Sequence, residues 1–131
     1  MASIPEKFLD LLGDKKAFAH IATVMPDGSP QVTPVWFDFT GGKIRINTAR
    51  GRVKHRNLKV GSKVALAIQD PDNAYRYIQI RGPVTKISEG GADAHIDSLA
   101  QKYLGRDYPF RREGEVRVMY EIEPASAQVM G

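Results

Sequence analysis

Residues 17–48, AFAHIATVMPDGSPQVTPVWFDFTGGKIRINT, carry the signals that decide the fold. Ala17 to Met25 is β-rich. Pro26-Asp27-Gly28-Ser29-Pro30 is a turn signal, because Pro fixes φ, Gly admits a positive φ, and Asp and Ser side chains bond back onto the backbone. Gln31 to Phe39 reads as a second strand, so the two make a hairpin. Pro34 has no amide to give a central ladder, which places this strand at a sheet edge or a bulge. Thr40-Gly41-Gly42 turns the chain again, into a third strand from Lys43 to Thr48.

Working outward, Ile4, Phe8, Leu11 and Leu12 have helical spacing, with Pro5 near the start and Gly13 past the end. Gly51 to Val60 predicts a short helix with Val53, Leu58 and Val60 as apolar contacts, ended by Gly61. Val64 to Gln69 is a strand with little polar alternation, hence covered on both faces. Asp70-Pro71-Asp72-Asn73 is a loop, and Tyr77 to Ser88 a longer strand bent at Gly82-Pro83. Ala92 to Leu104 is a helix with Ile96, Leu99, Ala100 and Tyr103 on one stripe. Val116 to Val129 is the last strand, its regularity broken at Pro124. Six or more short strands, turn signals between them and too few crossover helices predict a mainly β fold: a small antiparallel barrel with short helices.

A chain of 131 residues with a 42% hydrophobic fraction suits one globular domain, residues 1–131. The absence of Cys excludes disulfides, thiolate metal sites and a Cys nucleophile. His20, His55 and His95 have no metal-ligand spacing, so no metal site is expected, and His20 in its apolar strand reads as a structural residue. Neither Ser29 nor Ser62 has a Gly-x-Ser-x-Gly context, which leaves a hydrolase without support. The start has no basic region followed by an apolar run, and no stretch approaches the roughly 20 apolar residues of a membrane helix. A soluble cytoplasmic protein with no membrane partner is the expectation.

Charge is distributed unevenly. Between Phe39 and Gln69 there is no acidic residue, yet eight of the nineteen Lys and Arg lie there, in a chain whose net charge is only +4. Within this segment IRINTARGRVKHRNL reads as strand, turn and helix. A helix start offers free N–H groups, flanking Lys and Arg add full charges, and Gly51 lets a backbone approach a ligand. Arg52, Arg56 and Lys59 fall at i, i+4 and i+7, with Arg50 and Lys54 a second pair at the start. A solvated helix face has this composition too. Spacing alone does not separate a cofactor's phosphate from that of a nucleic acid. Single-strand binders interleave aromatics with basic residues, and Lys43 to Lys63 has none, so no nucleic-acid partner is expected.

ATVMPDGSPQVTPVWF followed by INTARGRVKHRNL resembles the flavin and deazaflavin reductases of the split β-barrel superfamily, the FMN-binding split barrels related to pyridoxamine 5′-phosphate oxidase. The resemblance spans nearly the whole chain and is nearest to the branch that uses the deazaflavin coenzyme F-420. It implies a homodimer with cofactor at the subunit interface, and an oxidoreductase that transfers a hydride from reduced cofactor to an activated, conjugated small molecule. FMN is the alternative cofactor, and a cofactor carrier without turnover the alternative role. The ring would face the backbone of Gln31, Val32, Thr33, Pro34, Val35 and Trp36. Asn47, Thr48, Ala49, Arg50, Lys54 and Arg56 would hold the phosphate, Lys54 foremost. Tyr77, Ile78 and Arg81 would lie near the ring or reach across from the partner. The tail VRVMYEIEPASAQVMG has Arg117 but no His, unlike the substrate-gripping segment of pyridoxamine 5′-phosphate oxidases. No catalytic residue announces itself.

Overall fold

The computed structural model describes residues 2–131. Three helices, two of them short, accompany eight antiparallel strands: α1 (Leu9–Leu12, entered through a 3-10 turn at Glu6–Phe8), β1 (Ala19–Val24), β2 (Pro30–Val35), β3 (Asp38–Thr40), β4 (Lys43–Ala49), α2 (Val53–Asn57), β5 (Lys63–Asp70), β6 (Asn73–Ser88), α3 (Ala92–Leu104), β7 (Arg117–Ile122) and β8 (Ser126–Met130). They form one sheet in the order β2-β1-β5-β6-β7-β4-β3, with β8 pairing β6 off this path.

Strand β6 joins the two halves. Its first part pairs with β5 and β8, its last part with β7. It changes partners around Gly82 and Val84, where the register to β7 shifts. Gly82 is required there: a Cβ at this position would sit 1.7 Å from the Glu123 carbonyl oxygen. The sheet wraps around Ile21, Phe37, Ile46, Leu66, Ile80 and Tyr120, all 0–1% exposed, and α1 closes one end with Phe8, Leu11 and Leu12.

Two predicted strands each prove to be two. Gln31 to Phe39 divides at Trp36-Phe37 into edge strand β2, which pairs only with β1, and β3, which pairs with β4. Pro34 sits on that edge, opposite His20. The break is supported from α3: the Phe37 amide donates to the Tyr103 hydroxyl at 3.4 Å, and Lys102 Nζ donates to the Phe37 carbonyl at 3.3 Å. Likewise Val116 to Val129 divides into β7 and β8 around Pro124. The predicted helix Gly51 to Val60 shrinks to the five residues of α2, which leaves Lys59 off the helix and Val60 66% exposed. His20 is exposed rather than buried.

The outward face of β2-β1-β5-β6-β8 is laid out in register, small at its β2-β1-β5 side and polar toward β6 and β8. Val32, Ala22, Ala65, Arg81 and Ser126 form one row, and Pro34, His20, Ala67, Gln79 and Gln128 the next. Among the described residues no helix is long and apolar enough to cross a membrane.

Candidate functional site

Strand β2 and helix α2, the two segments that stood out in the sequence, meet in the fold. Lys54 Nζ donates to Thr33 Oγ1 at 2.7 Å. One turn on, Asn57 Nδ2 donates to Thr23 Oγ1 at 3.0 Å, and Thr23 in turn to Gln31 Oε1 at 3.1 Å. These polar rungs tie α2 to the β1-β2 hairpin. Gly51, at φ 90°, makes the turn out of β4. Its amide donates to His55 Nδ1 at 3.0 Å, so that donor is already occupied within the chain. Side-chain charge, rather than the start of a five-residue helix, is what this region offers an anion.

Beside Lys54 opens a cavity of about 280 Å³. Lys54, Arg52 and Arg117 lie on its cationic side, with Asn47 and Thr48 between them. Pro34, Val35, Trp36, Phe18, Ile96, Leu99, Tyr108 and Phe110 make the apolar side. Trp36 stacks on Tyr103, centroids 5.3 Å apart and planes within 5°, and Tyr108 meets Trp36 edge-on at 6.2 Å. Lys54 is half-buried. Burial first, and the charge of Arg52 second, hold its pKa below the ordinary lysine value. Among the described residues neither Lys54 nor Arg52 has a carboxylate partner, whereas Arg45, Arg76 and Arg117 are each paired with one. A half-buried cation next to a second cation is unfavourable until an anion joins them.

Behind the cavity runs a polar chain. Arg45 grips Asp38 through Nε (2.7 Å) and Nη2 (2.8 Å), and Asp38 Oδ2 meets His95 Nε2 at 3.0 Å. Asn47 Nδ2 donates to the Ala92 carbonyl (2.9 Å) and to His95 Nδ1 (3.1 Å), while Asn47 Oδ1 accepts from Arg117 Nε (2.9 Å). Arg117 Nη1 is ion-paired with Glu115. With Nδ1 accepting, His95 carries its hydrogen on Nε2 and donates it to Asp38. Burial alone would raise the Asp38 pKa, but the bonds from His95 and Arg45 outweigh it and hold it at about 2.

The cavity therefore gathers Pro34, Val35, Trp36, Asn47, Thr48 and Lys54 of the residues anticipated from sequence, with Thr33 one bond away. Gln31 is half-buried under α2, and Val32 is 62% exposed on the outer sheet face. Ala49 is buried at the end of β4, Arg50 is turned aside into an ion pair with Glu89, and Arg56 is exposed on α2. The three β6 residues lie elsewhere. Ile78 points into the core at 0% exposure, leaving only its backbone for a ligand, while Tyr77 and Arg81 are on the outer face. Arg81 lines a second cavity there, about 500 Å³, with Val24, Pro30, Lys63 and Pro83. From sequence, Tyr108 to Arg112 reads as a loop that could line a pocket, which is where Tyr108 and Phe110 lie; Arg117 was not brought to the site. The only local signals of the three are the aromatic pair after Gly105 and the Glu115-x-Arg117 spacing, neither of which says what it faces.

This architecture, two half-sheets sharing one long strand, is a split β-barrel. Residues 4–131 match the sequence profile of pyridoxamine 5′-phosphate oxidase, and the chain belongs to that family. The solved structure of an F420 reductase superposes with a TM-score of 0.84 at 34% identity, covering 95% of this chain and 98% of that one. A conserved hypothetical protein from Mycobacterium tuberculosis follows at 0.74 and 19% identity, covering 98% and 85%. A FAD and haem binding protein from Mycobacterium smegmatis follows at 0.71 and 18% identity, covering 98% and 71%. No curated protein matches the sequence.

Proposed function

We propose that the protein is an oxidoreductase that binds the deazaflavin coenzyme F-420 at the Lys54 cavity and reduces a conjugated small molecule with it, FMN being the alternative cofactor. The observation that carries this reading is the uncompensated pair Lys54 and Arg52 at the mouth of a cavity with an aromatic wall. The residues fit an anionic redox ring: Lys54, Arg52 and the Thr33 and Thr48 hydroxyls suit a phosphate, and the β2 backbone from Thr33 to Trp36 suits the flat edge of a ring. Arg56 and Lys59, exposed beyond the cavity, add positive charge for an acidic tail, which favours F-420 over FMN. Likeness to an F420 reductase over nearly the full length of both chains supports the same choice.

When bound, the reduced cofactor supplies a hydride; the protein supplies position and electrostatics. Trp36 and Tyr108 wall one side of the cavity, and Lys54 fixes the anionic end. The outer sheet face, with Val32, Ala22 and Ala65 side by side in one row, suits a second copy of the chain. In such a homodimer Tyr77, Arg81 and the backbone of Ile78 would serve a site shared between subunits. Sedimentation equilibrium tests the dimer. Side-by-side fluorescence titrations with F-420 and with FMN test the cofactor, and oxidation of reduced cofactor by candidate acceptors separates a reductase from a carrier. Binding of neither coenzyme overturns the proposal.

A further inference from the structure

The cations that line the cavity differ in how they are balanced. Lys54 and Arg52 have no carboxylate within ion-pair distance among the described residues, although the charge of Arg52 is felt at Glu115, whereas Arg117 is ion-paired with Glu115. Their side chains are only 4% and 9% exposed. Burial opposes the charge on Glu115, but hydrogen bonds from Arg117 and from the Arg112 amide hold its pKa below the ordinary glutamate range. Arg117 spends Nη1 on Glu115 and Nε on Asn47, and its Nη2 has no acceptor among the described residues. The guanidinium lies 5.1 Å from the centroid of Tyr108, the ring that stands edge-on to Trp36. A buried ion pair contributes little net stability. This one keeps a guanidinium in place with a spare donor beside an aromatic wall, and Asn47, pinned by Ala92 and His95, prevents it from swinging away.

We propose that Arg117 is a specificity-determining residue, whose Nη2 donates a hydrogen bond to an uncharged carbonyl oxygen on a planar substrate held against Trp36 and Tyr108. Because Glu115 already balances its charge, Arg117 acts toward ligands as a dipolar donor and not as a free cation. With Lys54 and Arg52 taken up by the cofactor's phosphate, it therefore favours a ketone, ester or lactone over a carboxylate. The assignment rests on reading the cavity as a cofactor and substrate site.

Trp36 is the only Trp in the chain, so its indole N–H gives a single reporter peak in a nitrogen–proton correlation spectrum. The probes are 2-acetylnaphthalene, 2-ethylnaphthalene and 2-naphthoate, which share a ring system and differ in one group. The full chain is expected to bind the ketone at least fivefold tighter than the hydrocarbon. In the double variant R117M/E115Q, which leaves no buried charge unpaired, that difference disappears. In Glu115→Gln alone Arg117 becomes a free cation, and naphthoate affinity rises at least tenfold. This gain is one that a misfolded protein cannot mimic. Equal binding of ketone and hydrocarbon by the full chain, a Trp36 peak unmoved by all three probes, or no gain for naphthoate in E115Q overturns the inference. F-420 titration of the same proteins separates the two readings. Intact cofactor affinity without a ketone preference sinks the Arg117 assignment alone; a ketone preference with no coenzyme binding sinks the cofactor reading.

Discussion

Replacing Lys54 by Met tests the electrostatic basis of the site. Met keeps most of the apolar stem and removes the charge. The ammonium of the free protein is desolvated and faces Arg52, and its hydrogen bond goes to the neutral hydroxyl of Thr33. Its removal therefore takes away both a repulsion and a bond, which oppose each other, and the unfolding free energy is expected to move by no more than about 1 kcal/mol. Binding is different. A hydrogen bond between ammonium and phosphate contributes roughly 1.5–3 kcal/mol, and each 1.4 kcal/mol is about tenfold in affinity. F-420 affinity should fall about 10- to 100-fold. The assay is an F-420 fluorescence titration with a parallel thermal melt. The pH dependence supplies a second readout. The Lys54 pKa is depressed in the free protein and rises when an anion binds, so binding takes up a proton and affinity weakens as pH climbs through the lysine range. The Met variant loses that slope. Unchanged affinity with an unchanged melt would refute the assignment, as would a pH slope that survives the substitution.

Three further outcomes concern stability. The Tyr120 hydroxyl is buried with no hydrogen-bond partner among the described residues, and burial pushes its pKa up to about 12; Tyr120→Phe should stabilise the fold by about 1 kcal/mol in denaturant unfolding, since an unsatisfied buried polar group costs roughly that or more. Asp70 accepts the Asp72 amide and pairs with Lys15 and Arg76, which holds its pKa at about 2 against an ordinary 3.8. Because the folded pKa is the lower one, its contribution is complete above the ordinary value and is lost as pH falls from about 3.8 toward about 2; circular dichroism should show Asp70→Asn flattening the acid side of the stability profile. Gly82→Ala places a methyl against the Glu123 carbonyl, where backbone must move, and should destabilise by roughly 3 kcal/mol; a melt like that of the parent would mean the half-sheets are less tightly joined there than described.

Local chemistry made much of this legible. The turn at Pro26 to Pro30, the edge position of Pro34 and helix α3 from Ala92 to Leu104 are written in backbone preference and in the spacing of apolar residues, both of which act over a few positions. The divisions at Trp36-Phe37 and at Pro124 were not legible, because long-range partners decide them. Nothing local marks the break at Phe37; the hydroxyl of Tyr103, 66 residues away, and the neighbouring Lys102 stabilise a backbone that leaves one half-sheet for the other. The same holds for the site. The cationic half lies in one stretch, Asn47 to Arg56, and stood out as a charge anomaly. The aromatic half is assembled from Phe18, Trp36, Tyr108 and Phe110, which meet only when α3 packs across the barrel. For Arg117 the Glu115-x-Arg117 spacing was too weak a signal, since its meaning lies in Glu115, Asn47 and Tyr108 together.

Strand β6 has a mechanical consequence. It is 16 residues long and is the one element hydrogen-bonded to both half-sheets, to β5 and β8 early and to β7 late. Neither half can peel off without breaking a rung on the strand the other depends on, so amides on both sides should exchange with solvent through a single all-or-none opening. Such a frame holds Trp36 and the cationic rim at a fixed spacing, while the loop carrying Tyr108 and Phe110 is tied to α3 through the Tyr108 amide and Arg111, both bonded to Asp97.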